Sequence, residues 1–282
     1  ALVFLDDISK RLDPKGEEKF FMQCLKAECL LGLNQLYECN DLLKEVKVSL
    51  ENLFDVDHIV YSYFYKLCSL YYEKKQNYDE FYNYALQYFA YINEEKMDNL
   101  EKLDLCYKMA LASIIGEKMF NFSELVEKKY FKSLINSNYE WIYNIVRALS
   151  TGKVDQFYSV VKLHENQIMS EPLLKNKLNF LESKAKIHAL LDLVFQKNKN
   201  ERVLTFKDIS INCQCDINVV ELICIKALSL SLIKGHIDQV EGLLYVTWIQ
   251  PKYLEKEKIA VLADRLDIWI SNTGKVLEDF QQ

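Results

Sequence analysis

Glycine and proline are scarce: seven and three in 282 residues. Chain breakers this rare exclude a fold built on many tight turns and favour helices. Histidine is scarcer than the chemistry of a metalloenzyme needs. The four (His58, His164, His188, His236) are isolated, with no H-E-x-x-H and no H-x-H pair. Neither G-x-x-x-x-G-K-[ST] nor G-x-S-x-G occurs, so phosphate cradling and nucleophile elbows are absent too, and the chain is not expected to be an enzyme. No apolar run approaches the about 18 residues that cross a bilayer. Positive charge is also short: the net charge is −6 and the pI about 5.4. No basic block exists to displace counterions from a phosphate backbone. The eight cysteines show no framework spacing, which fits reduced thiols in the cytoplasm or nucleus. The chain opens at Ala1 with no initiator Met or signal peptide, and a fragment is expected.

What is present is ordinary for a folded chain, 50% hydrophobic and 27% charged, with an unusual 18 tyrosines. The length suits one long or two ordinary domains. From 17 to 200 apolar residues recur at steps of three and four, as in Phe20, Cys24, Ala27 and Leu31. Helices are expected over Leu36–Leu53, His58–Lys74 and Tyr78–Ile92, then near 100–115, 121–135, 139–150, 153–164 and 173–196. Short polar links ("NQ", "KKQN", "STGK") make neighbours antiparallel. Tyr37 and Tyr78 each follow a link, a spacing typical of two-helix repeats of the tetratricopeptide or HEAT kind. The clusters "YSYFYKLCSLYY" and "YDEFYNYALQYFAYI" read as core filling, with an exposed docking face as the alternative.

After residue 199 the pattern changes. A strand at 202–206, a helix at 207–213, and a second helix from Ile217 to Leu232 with Asp216 as N-cap lead into a ribbon. Its strands are 232–238 and 243–251, joined by a turn at Gln239–Gly242. This is the order of a winged helix. The cysteines of "INCQCDINVVELIC" do not suggest a metal. Cys224 lies about 12 Å along the helix axis from the turn that holds Cys215, and zinc needs ligands within about 2.3 Å. Cys213 and Cys224 are expected to pack, with Cys215 exposed. The helix "INVVELICIKALSLSL" carries one basic residue, Lys226, and the wing adds only Lys234 and His236. Base reading needs Arg, Lys, Asn or Gln. A helix this apolar is expected to be buried on most sides.

A last helix is expected over 255–280. Ile259, Leu262, Leu266, Trp269, Thr273, Val276 and Phe280 form its seam in heptad steps. That seam runs about 31 Å, more than a small winged helix covers, so a partner helix is expected along it.

The residues also carry a resemblance. "LTFKDISINCQCDINVVELICIKALSLSLIKGHIDQVEGLLYVTWIQP" (204–251) with "DRLDIW" (264–269) resembles the PCI-domain subunits of the proteasome regulatory-particle lid. So do "EWIYNIVRALSTGKVDQF" (140–157) and the tyrosine-rich 63–89. The resemblance implies a mainly α protein: an α-solenoid of TPR-like hairpins (1–139), then a PCI domain with a helical part (140–200) and a winged helix with a small antiparallel sheet (201–252), then a long C-terminal bundle helix (253–282). It implies more chain at both ends in the family. It implies a non-catalytic scaffold without cofactor, cytoplasmic and nuclear, serving degradation of ubiquitinated proteins. Its partners would be other lid subunits: a neighbouring PCI subunit, non-ATPase subunit 12, on the wing and an edge strand through Lys234, His236, Tyr245, Thr247 and Ile249; a shared bundle on the seam; and a ubiquitin-receptor subunit near the solenoid. Neither nucleic acid nor membrane is expected as a partner. A PCI subunit of the COP9 signalosome or of a translation-initiation complex, and a winged-helix nucleic-acid adaptor, are the alternatives.

Overall fold

The computed structural model describes residues 4–5, 8, 17–51, 57–92, 97–197 and 202–251, and single positions between 263 and 273. The protein is mainly helical, with N-terminal helical repeats and one small three-stranded antiparallel sheet. Contacts divide it into two compact units, Ala1–Met119 and Phe120–Gln282.

The first unit holds α1 (Glu17–Gly32), α2 (Leu36–Glu51), α3 (His58–Lys74), α4 (Tyr78–Tyr91) and α5 (Asn99–Ile115). Each packs on the next, and α1 also packs on α3. The links after α1 and α3 are the same device. Gln35 N–H donates to Leu30 O and Asn34 N–H to Leu31 O, while Asn77 N–H donates to Tyr72 O and Gln76 N–H to Glu73 O. These are Schellman caps, with Asn34 (φ 61) and Gln76 (φ 57) in the left-handed position that glycine usually takes. The core joins Phe20, Cys24, Leu43, Val46, Phe64 and Tyr71. The tyrosine clusters pack into and against this core. Tyr71, Tyr82 and Tyr88 are buried, whereas Tyr61, Tyr65, Tyr72, Tyr84 and Tyr91 are half-buried.

The second unit begins with α6 (Phe122–Glu127) and a 3-10 turn, Phe131–Leu134. The expected helix over 121–135 is therefore broken. Lys128 turns extended (ψ 134), and the break lets Tyr130, Phe131 and Leu134 all face inward. Next come α7 (Glu140–Ser150), α8 (Val154–Leu163), α9 (Glu165–Ser170) and α10 (Leu178–Gln196). The helix expected from 173 starts at Leu178, because turns follow Pro172 and drop Leu174 into the core.

The winged helix follows as β1 (Val203–Thr205), α11 (Phe206–Cys213), α12 (Ile217–Ser229), β2 (Ile233–Asp238) and β3 (Leu243–Ile249). Thr205 caps α11 by accepting from Asp208 N–H. Asp216 occupies the cap position of α12 without a side-chain cap bond. Schellman caps centred on Gln214 (φ 49) and Ser231 (φ 57) end α11 and α12, so α12 stops at Ser229 rather than Leu232. The core of this unit is continuous from α10 (Ile187, Leu190, Val194) through α11 and α12 (Ile209, Cys213, Val220, Cys224, Ala227) to the sheet (Leu204, Leu244, Val246, Ile249).

The sheet order is β1-β3-β2. Between β2 and β3 the register shifts: Gly235 faces Val246 and Lys234 faces Trp248, leaving Thr247 as the extra residue of a bulge. A Cβ on Gly235 would lie 1.9 Å from the Tyr245 carbonyl oxygen, so only glycine fits. Gly235→Ala is expected to destabilise the protein by about 2 kcal/mol or more, read as a lowered urea midpoint. Gln214→Gly should do the reverse. Relief of the left-handed cost at an αL cap is worth roughly 0.5–1 kcal/mol, and an unchanged or lower midpoint would refute that account.

Candidate functional site: the outer faces of the winged helix

Two faces of the winged helix point away from its core. The first is on α12. Val220, Ile223, Cys224 and Ala227 face inward. On the other side Ile217, Val219, Leu222 and Ile225 are 44%, 38%, 55% and 47% exposed. The expectation that this helix is buried on most sides is thus corrected: it is buried on one. Val219, Leu222 and Ile225 stand at steps of three, an apolar stripe where a DNA reader would carry donors. The polar groups beside it are Asn218, exposed and one turn before Leu222, Glu221, which accepts from the Gln239 amide at 3.1 Å, and Lys226.

The second face is the outside of the sheet. His236 stacks on Tyr245, with ring centroids 4.6 Å apart and planes within 12°. The Lys234 ammonium lies 5.2 Å from the centre of the Trp248 ring, a cation–π contact. The Thr247 hydroxyl donates to Lys234 O at 3.0 Å. Val203, paired with Tyr245 in register, is 43% exposed. The structure therefore brings Lys234, His236, Tyr245 and Thr247 together. Ile249 does not join them; it is buried in the core. Its place is taken by Trp248, 39% exposed, which the sequence reading passed over. Strict alternation along 245, 247 and 249 puts all three on one face, and the bulge reverses the last step. A glycine inside a strand was the available signal. The strand is also not an edge over its first half, because β1 pairs with Leu243–Tyr245 and Arg202 O accepts from Val246 N–H.

On the expected bundle seam, Leu266 and Trp269 lie at helical positions and are 50% and 65% exposed, as is Ile270 at 63%. These three form an i, i+3, i+4 stripe. The Thr273 hydroxyl donates to Trp269 O at 2.8 Å, satisfying the seam's polar position within its own helix. Ile259, Leu262, Val276 and Phe280 lie outside the described residues.

The thiols of the winged helix face the opposite way. Burial pushes Cys213 and Cys224 up to about 12, helped by the charge of their neighbours, and raises Cys215 as well. Such thiols stay protonated at neutral pH, the reverse of the thiolates a metal selects. Among the described residues no three His, Cys, Asp or Glu are placed to hold a metal ion, and no helix is long and apolar enough to cross a membrane.

These features match known proteins along nearly all of the chain. Residues 1–146 match the family of PSD13 N-terminal repeats, and residues 158–248 match the PCI domain. The chain is 32% identical over 283 residues to the 26S proteasome non-ATPase regulatory subunit 13 homolog A of Arabidopsis thaliana, covering 98% of this chain and 73% of that one. It is 30% identical to the non-ATPase regulatory subunit 13 of Dictyostelium discoideum (94% and 70% covered), and 30% identical to the regulatory subunit RPN9 of Saccharomyces cerevisiae (99% and 74%). With repeats, PCI domain and relatives in agreement, the chain belongs to the 26S proteasome non-ATPase regulatory subunit 13 family of PCI-domain proteins.

Proposed function

We propose that this protein is a non-catalytic scaffold of the proteasome regulatory-particle lid, present in cytoplasm and nucleus, that supports ATP-dependent degradation of ubiquitinated proteins by holding other subunits in place. The observation that carries this reading is the exposed stripe of Val219, Leu222 and Ile225 on α12. Each is about half exposed, so covering each contributes on the order of 1 kcal/mol, and it lies on the helix that in a nucleic-acid reader would be polar and basic. Its neighbour across the domain is a sheet face of Lys234, His236, Tyr245, Thr247 and Trp248. Tyr245 and Trp248 offer area and orientation to a protein partner, with the Lys234 ammonium laid over the Trp248 ring. The partner proposed for these faces is an adjacent PCI subunit, non-ATPase subunit 12. The seam at Leu266 and Trp269 would enter a shared helical bundle, and the N-terminal repeats would lie near a ubiquitin-receptor subunit. The names of the matched relatives, regulatory subunits of the 26S proteasome, support the assignment to that particle.

Two substitution sets test the reading in the assembled particle. Leu222→Asp with Ile225→Asp changes only exposed positions, so the chain should fold while its recovery with tagged lid subunits falls about tenfold or more. Leu266→Asp or Trp269→Asp should block incorporation while the N-terminal helices stay folded by circular dichroism. Normal yields of both variants in purified lid, scored by mass spectrometry, would refute the scaffold reading. Salt-sensitive binding of duplex or single-stranded DNA at micromolar or tighter affinity would favour a nucleic-acid adaptor instead.

A further inference from the structure

The helical part of the second unit carries a groove that the scaffold reading does not use. It lies between α7 and α8, which turn back on each other through the short link at Thr151–Lys153. The groove is open and about 610 Å³ in volume. On α7 its wall is the strip of Asn144, Arg147 and Thr151, at steps of three and four. On α8 the opposite wall is left over from packing. That helix buries two of its ten side chains, Val154 and Phe157. On the groove side Val160 is half-buried and Leu163 is 75% exposed.

The lining is less polar than its composition. The Ser159 hydroxyl donates to Asp155 O and the Thr151 hydroxyl to Ala148 O, both at 2.8 Å. Both hydroxyls are thus bonded within their own helix and demand nothing of an occupant. Ala148 is buried and small, so a neighbour can approach closely there. Two polar groups are left unmet. The Arg147 guanidinium is exposed and has no hydrogen bond or ion pair among the described residues. His164 Nε2 is buried and has no hydrogen-bond partner among them, an arrangement that proteins rarely leave uncompensated.

Shape and charge select the occupant. Both walls are helices, whose backbone groups bond along their own axes. An extended segment would find no strand edge and would leave its own N–H and C=O groups unpaired. A helix arrives with those bonds made. The strips run about 10 Å on α7 (144–151) and about 13 Å on α8 (155–164), which roughly eight residues of helix match. Two antiparallel neighbours accept a third helix in just this way, its side chains at steps of three and four entering the space between them. We propose that this groove docks an amphipathic helix of a partner protein, its apolar face on Ala148, Val160 and Leu163 and a flanking carboxylate paired with Arg147.

Methyl NMR of the full chain tests this with a capped helical peptide of about 15 residues, Leu recurring at steps of three and four and Glu at the flanking positions. Saturable shifts should appear at the methyls of Ala148, Val160 and Leu163. The same peptide with Lys for Glu should bind about fivefold more weakly. Arg147→Glu should reverse that order, which a merely structural Arg147 would not do. Leu163→Gln changes an exposed position and should weaken the Glu peptide about tenfold, with circular dichroism confirming the fold. A copy interrupted by central prolines, which cannot form the helix, should not bind. Equal affinity for the Glu and Lys peptides, binding by the proline copy, or no saturable shift at these methyls would overturn the proposal. So would concentration-dependent shifts there without peptide, which would make a second copy of the chain the occupant. Entry into the lid is scored separately, so failure here leaves the scaffold reading standing.

Discussion

The backbone of β2 passes so close to β3 at Gly235 that no side chain fits between them. Much of the winged helix follows from that one approach. The bulge beside it turns Thr247 and Trp248 both outward and returns Ile249 to the core. Ile249 then closes the core on α10, while Trp248 meets Lys234 on the outside. The outward set of polar and aromatic side chains is thus a consequence of register, and register here depends on one residue without a Cβ. A winged helix with an unbroken ribbon would bury Trp248 and expose Ile249, giving a different face to any partner.

Helix ends show a second economy. A protein with seven glycines uses Gly152 (φ 66) and Gly242 (φ 64) at two turns and must close other helix ends without them. It does so by placing Asn34, Gln76, Gln214 and Ser231 in the left-handed conformation, each closed by the two backbone bonds of a Schellman cap. Those bonds satisfy carbonyls that would otherwise be left open at the helix C-terminus. The strain at each cap is local and of order 1 kcal/mol, small against the packing of the hairpin it closes.

These two devices explain what was legible from the sequence. Helix positions over α1 to α5, the strand–helix–helix–strand–strand order and the four-residue turn Gln239–Gly242 follow from apolar period and short polar links, signals that survive any tertiary context. Three readings failed for tertiary reasons. The segment 121–135 keeps a helical period, yet breaks at Lys128 because three inward residues pack better from a turn. Ile249 obeys the alternation of an ideal strand, which a bulge overrides. The helix α12 is apolar almost all round, and one chain supplies a core for only one side of it. Periodicity measures which residues want burial; it does not say which molecule provides it.

That last distinction bears on how the two units divide their chemistry. On α12 the uncovered residues are aliphatic and carry no hydrogen-bonding demand, so a partner gains there by area and shape. In the first unit the half-buried tyrosines already stack on one another, Tyr84 on Tyr72 and Tyr61 on Tyr91, so part of their ring area is covered within the chain. On α12, a hold by burial of aliphatic area is nearly untouched by salt and weakened by cooling. The physical basis is that burial of aliphatic area is insensitive to ionic strength, while a contact between charges is not.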